Sequence, residues 1–393
     1  MNPRRHPLRI AQLLAATAVM ASLSFSGELG AQQAGCRADD AQAAPNETLT
    51  LRAVGDMVLG SDWPAPSYPP DFESKVLARL KQVLGEADVK FGNLEGVLST
   101  HDVSKKKPRP GAVYAFRMPP RFARLLKDAG FDVINVANNH SFDFGQKGYD
   151  DTVEHLADAG ILPVGEKDMV SIQQVKDVRL AWIGFSYLDR NNDMHDGETL
   201  AALVDRARRA ADLVIVSVHA GAEGSEALRV GEGEEIFLGE HRGDVVSFAR
   251  RAVDLGADLV LAHGPHVLRG MECYRGRLIA YSLGNFVGYG ALSAKRAAGV
   301  SAILEVRLAK DRRTLGFDVV PIRFDDEHLP NVDERGIARY LIEDLSARAP
   351  LNGSVSLVDG VASEAYRAWL DKAELTSSLN GPGAAAIDRA PRR

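Results

Sequence analysis

Six segments of this 393-residue chain place carboxylate, carboxamide or imidazole groups directly after short apolar runs. Asp56 follows residues 49–54, Asn93 and Glu95 follow 89–91, and Asn139, His140 and Asp143 follow 131–136. His219 and Glu223 follow 213–218, His263 and His266 follow 259–262, and Asn285 follows 278–283. Imidazole and carboxylate without cysteine form a ligand set for Zn, Mn or Fe. The candidates exceed the needs of one tetrahedral site. Two divalent ions sharing a carboxylate would absorb them, and such pairs activate water for attack. The densest segment runs from Asn138 to Asp143 and packs two carboxamides, an imidazole and a carboxylate into six residues. A loop closing a buried strand can hold such groups in fixed positions. A single Asn or His after a strand is more often a turn or capping residue. The ordered set is what points to a site. Asp143 could instead cap the helix that follows, Glu223 could be one of several acidic loop residues, and Asn285 could merely close a turn after Gly284.

The apolar runs at 49–54, 89–91, 131–136, 180–184, 213–218, 259–262 and 278–283 read as strands. Amphipathic stretches at 72–84, 119–129, 149–159 and 245–255 read as helices, and the second opens with prolines and closes at Gly130. Strand followed by helix, repeated, indicates an α/β domain. In such a domain the carboxyl ends of the strands line one crevice, which gathers the polar groups at one edge. Past residue 300 the pattern changes: 301–308 and 315–324 alternate like an antiparallel hairpin. Residues 331–373 read as a helical extension, 374–393 as a flexible tail and 36–47 as a linker.

Apolar content of 45% and charged content of 25% are those of an ordinary globular protein, and a net charge of -6 gives no reason to expect nucleic-acid binding. Residues 1–35 read as a secretory signal: Arg4, Arg5 and Arg9 precede a run of sixteen mostly apolar residues, 10–25, too short to span a bilayer. Cleavage near Ala31 or after Ala41-Gln42-Ala43 would leave an extracytoplasmic protein. Of the two cysteines, Cys36 sits where a lipid anchor is conceivable, although Gln33 is a poor fit for one, and Cys273 reads as a packed thiol. Lys105, Lys106, Lys107 and Arg109 form a short basic loop able to attract an anionic polymer or phosphate.

Gly55-Asp56, Asn93-Leu94-Glu95, Ala137-Asn138-Asn139-His140, His219-x-Gly-x-Glu223, Gly264-Pro265-His266-Val267 and Tyr281-Ser282-Leu283-Gly284-Asn285-Phe286 together resemble the signature blocks of the CapA family of poly-γ-glutamate capsule synthesis, related to the calcineurin-like metallophosphoesterases. The resemblance spans roughly residues 50–290, within a domain taken as 48–330. It implies a four-layer α/β/β/α sandwich of metallophosphoesterase type. It also implies a divalent-metal centre with Asp56, Glu95, Asn139, His219, His263 and His266 as ligands. Asn93 rivals Glu95 in the alignment, and the anionic residue is the better bridge between two cations. His140 would act as acid or base, oriented by Asp143, with Glu223 and Asn285 toward substrate. Three departures stand out. Asp56-Met57-Val58 lacks the histidine of the phosphoesterases' Asp-x-His, His263-Gly264-Pro265-His266 carries one residue more than the usual His-Pro-His, and Ala220 replaces a frequent Trp. The function implied is metal-dependent hydrolysis of a phosphoester or amide, on a small molecule, anionic polymer or peptide, beside a capsule-synthesis membrane complex. Two rivals are a non-catalytic component of polymer assembly or export, and a peptide epimerase or lyase on the same scaffold.

Overall fold

The computed structural model describes residues 36, 44–104, 106, 114–349, 351, 353, 355–358, 363–373 and 375. The signal segment, most of the basic loop (Lys105, Lys107 and Arg109) and the tail beyond 375 lie outside the described residues. In chain order the main elements begin with β1 (Thr48–Val58), α1 (Phe72–Leu84), β2 (Val89–Leu94), α2 (Phe122–Ala129), β3 (Val133–Asn135), α3 (Gly145–Asp158) and β4 (Leu162–Val164). The second half of the domain contains β5 (Ser171–Val175), β6 (Val178–Ser186), α4 (Gly197–Ala210), β7 (Leu213–His219), α5 (Val245–Leu255), β8 (Leu259–His263), β9 (Met271–Tyr274) and β10 (Arg277–Ala280). The chain ends with β11 (Asn285–Gly288), β12 (Val300–Ala309), β13 (Thr314–Phe324), β14 (Pro330–Val332), α6 (Ile337–Arg348) and α7 (Glu364–Lys372).

Two sheets pack face to face. The first runs β14-β13-β12-β1-β2-β3-β4, with β11 also paired to β1; the second runs β9-β10-β8-β7-β6-β5. β1, β2, β3 and β4 are mutually parallel, as are β6, β7, β8 and β10. Leu49, Leu51, Val89 and Phe91 of the first sheet meet Leu180, Trp182, Ile215 and Leu261 of the second in one core. Phe91 and Trp182 stack across it, ring centres 5.2 Å apart. Phe72, Phe122 and Leu156 of α1, α2 and α3 cover the outer face of the first sheet, and Leu203 and Phe248 of α4 and α5 cover that of the second. The result is a four-layer α/β/β/α sandwich. Strands covered on both faces read as continuous apolar runs, which is why they are conspicuous in the sequence.

Four details differ from the expectations. α4 joins the helices already named, and Asp196 caps it by accepting from the Glu198 and Thr199 amides. The region 331–373 is not one helical stretch. α6 ends at Arg348 because Ala349, preceding Pro350, is extended, and Ile337, Leu341 and Leu345 of α6 close the inter-sheet core. The run 278–283 is not one strand either: β10 stops at Ala280, the chain crosses between sheets, and Asn285 opens β11 beside Asp56. Finally, Cys273 is not a free thiol but is paired with Cys36. The two form a disulfide across a sequence separation of 237.

Candidate metal centre

Strand register brings the polar groups into a row. In the first sheet Asp56 lies beside Asn93 and Asn285, and Asn93 beside Asn135. In the second, His219 lies beside His263. Both rows end at the carboxyl edges of parallel strands, so loops from the two sheets meet over one point. Gly55 makes the approach possible: a Cβ there would sit 1.8 Å from the Gly284 carbonyl oxygen. The Asp56 amide donates to that same oxygen at 2.9 Å.

Asp56, Glu95 and His266 bring ligand atoms within 4.8 Å of one another. Glu95 is fully buried, and neither carboxylate oxygen has a hydrogen-bond partner among the described residues. Its Oε1 lies 3.8 Å from His140 Nε2, 3.8 Å from His219 Nε2 and 3.6 Å from His266 Nε2. These separations are too long for hydrogen bonds. The shortest, to His266, approaches the spacing of about 3.4 Å between ligands sharing one tetrahedral ion at metal–ligand distances near 2.1 Å. Asn139 Oδ1 and both nitrogens of His263 are likewise buried without partners among the described residues. A carboxylate stripped of water and left unpaired costs several kcal/mol. The donor set therefore fits a divalent cation, which would satisfy these atoms together.

Charges within the cluster divide accordingly. Burial works to raise the Asp56 carboxyl, but the hydrogen bond and charge of His266, helped by His219 and His263, hold it below the usual carboxylate range. Burial pushes Glu95 up to about 8; His266 opposes this and Asp56 adds to it. Burial would lower His266, yet Glu95 and Asp56 lift it to about 10. His263 falls to about 4 and His219 drops well below its ordinary value, each through burial that Asp56 only partly offsets.

His140 Nδ1 lies 2.8 Å from Asp143 Oδ2, and its other nitrogen faces Glu95. Asp143 is not the cap of α3, whose N-cap, Phe144, has no side-chain cap bond. Its Oδ2 also accepts from the Phe116 amide at 2.8 Å, and Lys106 pairs with Oδ1. The Phe116 ring lies against the imidazole at 4.3 Å. Burial holds the His140 pKa below its ordinary value, against the pull of Asp143. Asn138 staples the loop, accepting from the His140 amide and donating to the Leu94 carbonyl.

The extra residue between His263 and His266 costs neither its place. His266 adopts φ 58°, and both imidazoles reach Asp56, at 3.7 and 3.2 Å. Asn285 is fully buried, with Oδ1 3.0 Å from His266 Nδ1 and Nδ2 donating to the Ser293 carbonyl; it holds His266 rather than facing open space. Glu223 stands at the rim, 3.9 Å from His266 Nε2, and accepts from Arg242 at 2.8 Å. Arg242, buried and packed over the Tyr187 ring at 4.4 Å, carries no motif that would single it out in the sequence. Asn135, which donates to Asn93 Oδ1 at 2.8 Å, also escapes a reading by motif. Its one signal is a polar residue within an apolar run.

Residues 50–289 match the family described as "Bacterial capsule synthesis protein PGA_cap". The capsule biosynthesis protein CapA of Bacillus anthracis is 29% identical over 331 residues, 77% of this chain and 75% of that one. The PGA biosynthesis protein CapA of Bacillus subtilis (strain 168) is 27% identical, covering 70% of this chain and 72% of that one. A probable polyglutamine synthesis accessory protein of Mycobacterium tuberculosis (strain ATCC 25618 / H37Rv) is 27% identical over 76% of this chain and 81% of its own. Among solved structures, a 5'-nucleotidase precursor from Thermus thermophilus matches at TM-score 0.41 and 13% identity, over 76% of this chain and 58% of that one. This last similarity is too slight to add to the architecture itself. The family match covers well over half the chain and contains every residue of the centre, and on that ground the chain belongs to the bacterial capsule synthesis (PGA_cap, CapA) family.

Proposed function

We propose that this protein is an exported, metal-dependent hydrolase of capsule or exopolymer biosynthesis, cleaving a phosphoester or an amide. The observation that carries the reading is Glu95: a buried, unpartnered carboxylate ringed by three imidazoles, one of them paired with Asp143. Asp56, Glu95 and His266 would hold a divalent ion (Mn, Fe or Zn), with Asn139 and His263 as further donors, enough for a second. His219, expected among them from the resemblance, faces the same centre from the second sheet. Bound ions would polarise the scissile group and lower the pKa of an attacking water. The chain's own residues supply the rest. Burial keeps His140 neutral at rest, so its Nε2 can take a proton, and Asp143 stabilises the resulting charge. Nε2 then returns that proton to the leaving oxygen or nitrogen as the bond breaks. Lys106 and Arg242 beside the centre favour an anionic substrate. The relatives named for capsule and PGA biosynthesis support the biological setting, and we place the protein there beside a membrane-bound synthesis complex. The Cys36–Cys273 disulfide supports export, since such bonds persist in oxidising compartments.

The test pairs metal content with turnover on bis(p-nitrophenyl) phosphate and a γ-glutamyl anilide. His266→Ala should lose metal, whereas His140→Ala should keep it and lose turnover by roughly 10²–10⁴-fold. Equal metal loss in both variants would refute the division of roles. A metal-loaded wild type inert on both substrate classes would refute the hydrolase reading.

A further inference from the structure

A network of carboxamides fixes where one proton sits at this centre. Asn138 is oriented by two backbone groups, accepting from the His140 amide at 3.1 Å and donating from Nδ2 to the Leu94 carbonyl at 2.8 Å. Asn135 donates from Nδ2 to the Ala137 carbonyl at 3.1 Å. The same two Nδ2 groups also donate to Asn93 Oδ1, at 3.3 and 2.8 Å. Turning Asn93 over would set its own NH2 against both donors and its oxygen against Asp56. Its Nδ2 must therefore point to Asp56 Oδ1, at 2.8 Å, and to His219 Nδ1, at 3.2 Å. Two donated and two accepted bonds use the amide fully.

An N–H aimed at His219 Nδ1 requires a lone pair there. A neutral imidazole that accepts at Nδ1 carries its proton on Nε2. His219 is fully buried, its Nε2 has no partner among the described residues, and Glu95 Oε1 is 3.8 Å away, beyond hydrogen-bond reach. A histidine that ligates through Nε2 has the opposite arrangement, with Nδ1–H donated outward to a carbonyl or carboxylate.

We propose that His219 serves this centre as a hydrogen-bond donor to an oxyanion through Nε2–H, held in that form by Asn93, and not as a metal ligand. The ligand class is a tetrahedral oxyanion: a phosphoryl group, or the adduct formed when water adds to an amide carbonyl. Asn93 is the positioning residue, acting through His219. The oxyanion role rests on the hydrolase reading, but the proton's place is a property of the metal-free protein.

The experiment combines three measurements on the full mature chain. In metal-free protein with 15N-labelled histidine, the two-bond 15N–1H spectrum should show His219 as the Nε2–H tautomer. Asn93→Asp, which offers Nδ1 an acceptor, should convert it to Nδ1–H. His219→Ala should retain metal, unlike His266→Ala, and bind orthophosphate roughly tenfold more weakly, the worth of one hydrogen bond; His219→Gln, which restores an N–H donor, should recover part of that loss. An Nδ1–H signal in the wild type, or loss of metal in His219→Ala, overturns the proposal. An Asn93→Asp spectrum identical to wild type overturns the role of Asn93. If a variant fails to fold, the wild-type spectrum still decides. Wild type that takes up no metal would defeat the hydrolase reading, and the spectrum would remain decisive on its own.

Discussion

Breaking the Cys36–Cys273 disulfide should weaken the protein by an amount that the chain length bounds. The bridge closes a loop of 237 residues. In the chain-entropy account, a loop of that length removes about 18 cal/mol/K from the unfolded ensemble, or about 5 kcal/mol at 25 °C. At about 2.1 cal/mol/K of unfolding entropy per residue, that corresponds to a Tm shift of roughly 7 °C for a chain near this size. The shift should fall short of this ceiling. Cys36 lies ahead of β1 and outside both sheets, so reduction can release it from Cys273 while both sheets stay intact. The native state then regains part of the entropy. The assay is thermal and urea unfolding of wild type with and without reductant, beside a Cys36→Ser/Cys273→Ser double variant. A drop of roughly 2–7 °C, equal in the reduced and double-variant proteins, is expected. Two reactive thiols per chain in protein recovered from an oxidising compartment, or a double variant that melts with oxidised wild type, would refute the reasoning.

Other outcomes follow from single positions. Gly55→Ala should cost roughly 3 kcal/mol or more in urea unfolding, because its Cβ would meet the Gly284 carbonyl at 1.8 Å; a loss below about 1 kcal/mol would mean the crossing chain simply moves aside. Trp182→Ala removes a fully buried indole from the sheet interface and should cost about 3–5 kcal/mol, with metal content unchanged per folded molecule. Metal uptake should release protons. With Glu95 raised to about 8 and His266 to about 10, both carry a proton at neutral pH in the metal-free protein. Ligands must be deprotonated, so affinity should climb as pH rises through 8. Calorimetric heats that do not change between buffers of different ionisation enthalpy would contradict this.

The strands that lead to Asp56, Glu95, Asn139, His219 and His263 are legible in the sequence because their burial on both faces leaves no polar alternation to confuse the reading. The loop from Asn138 to Asp143 is legible because its bonds are local: His140 to Asp143 spans three residues. What escapes is non-local or hidden by composition. The crossing at Gly284 sits inside a run as apolar as a strand, so the sequence places Asn285 after the wrong element. The bonding of Asn93 depends on Asn135, 42 residues away. The pairing of Cys36 with Cys273 depends on where β9 lies in the finished second sheet. α4 differs from these: the Asp196 cap and the Leu200, Leu203, Val204 and Ala207 stripe are local signals sufficient to mark it.

The register that collects these side chains also divides them by origin. Asp56, Glu95, Asn139 and His140 hang from the first sheet, and His219, His263 and His266 from the second. An ion gripped by Asp56 or Glu95 on one side and by His266 on the other would therefore be a clasp between the two halves of the sandwich. At a free concentration a thousand times its Kd, such an ion adds about 4 kcal/mol to the folded state. Metal supply would then set how long each copy survives proteolysis as well as how fast it works. A starved cell would lose the protein itself before it accumulated idle copies.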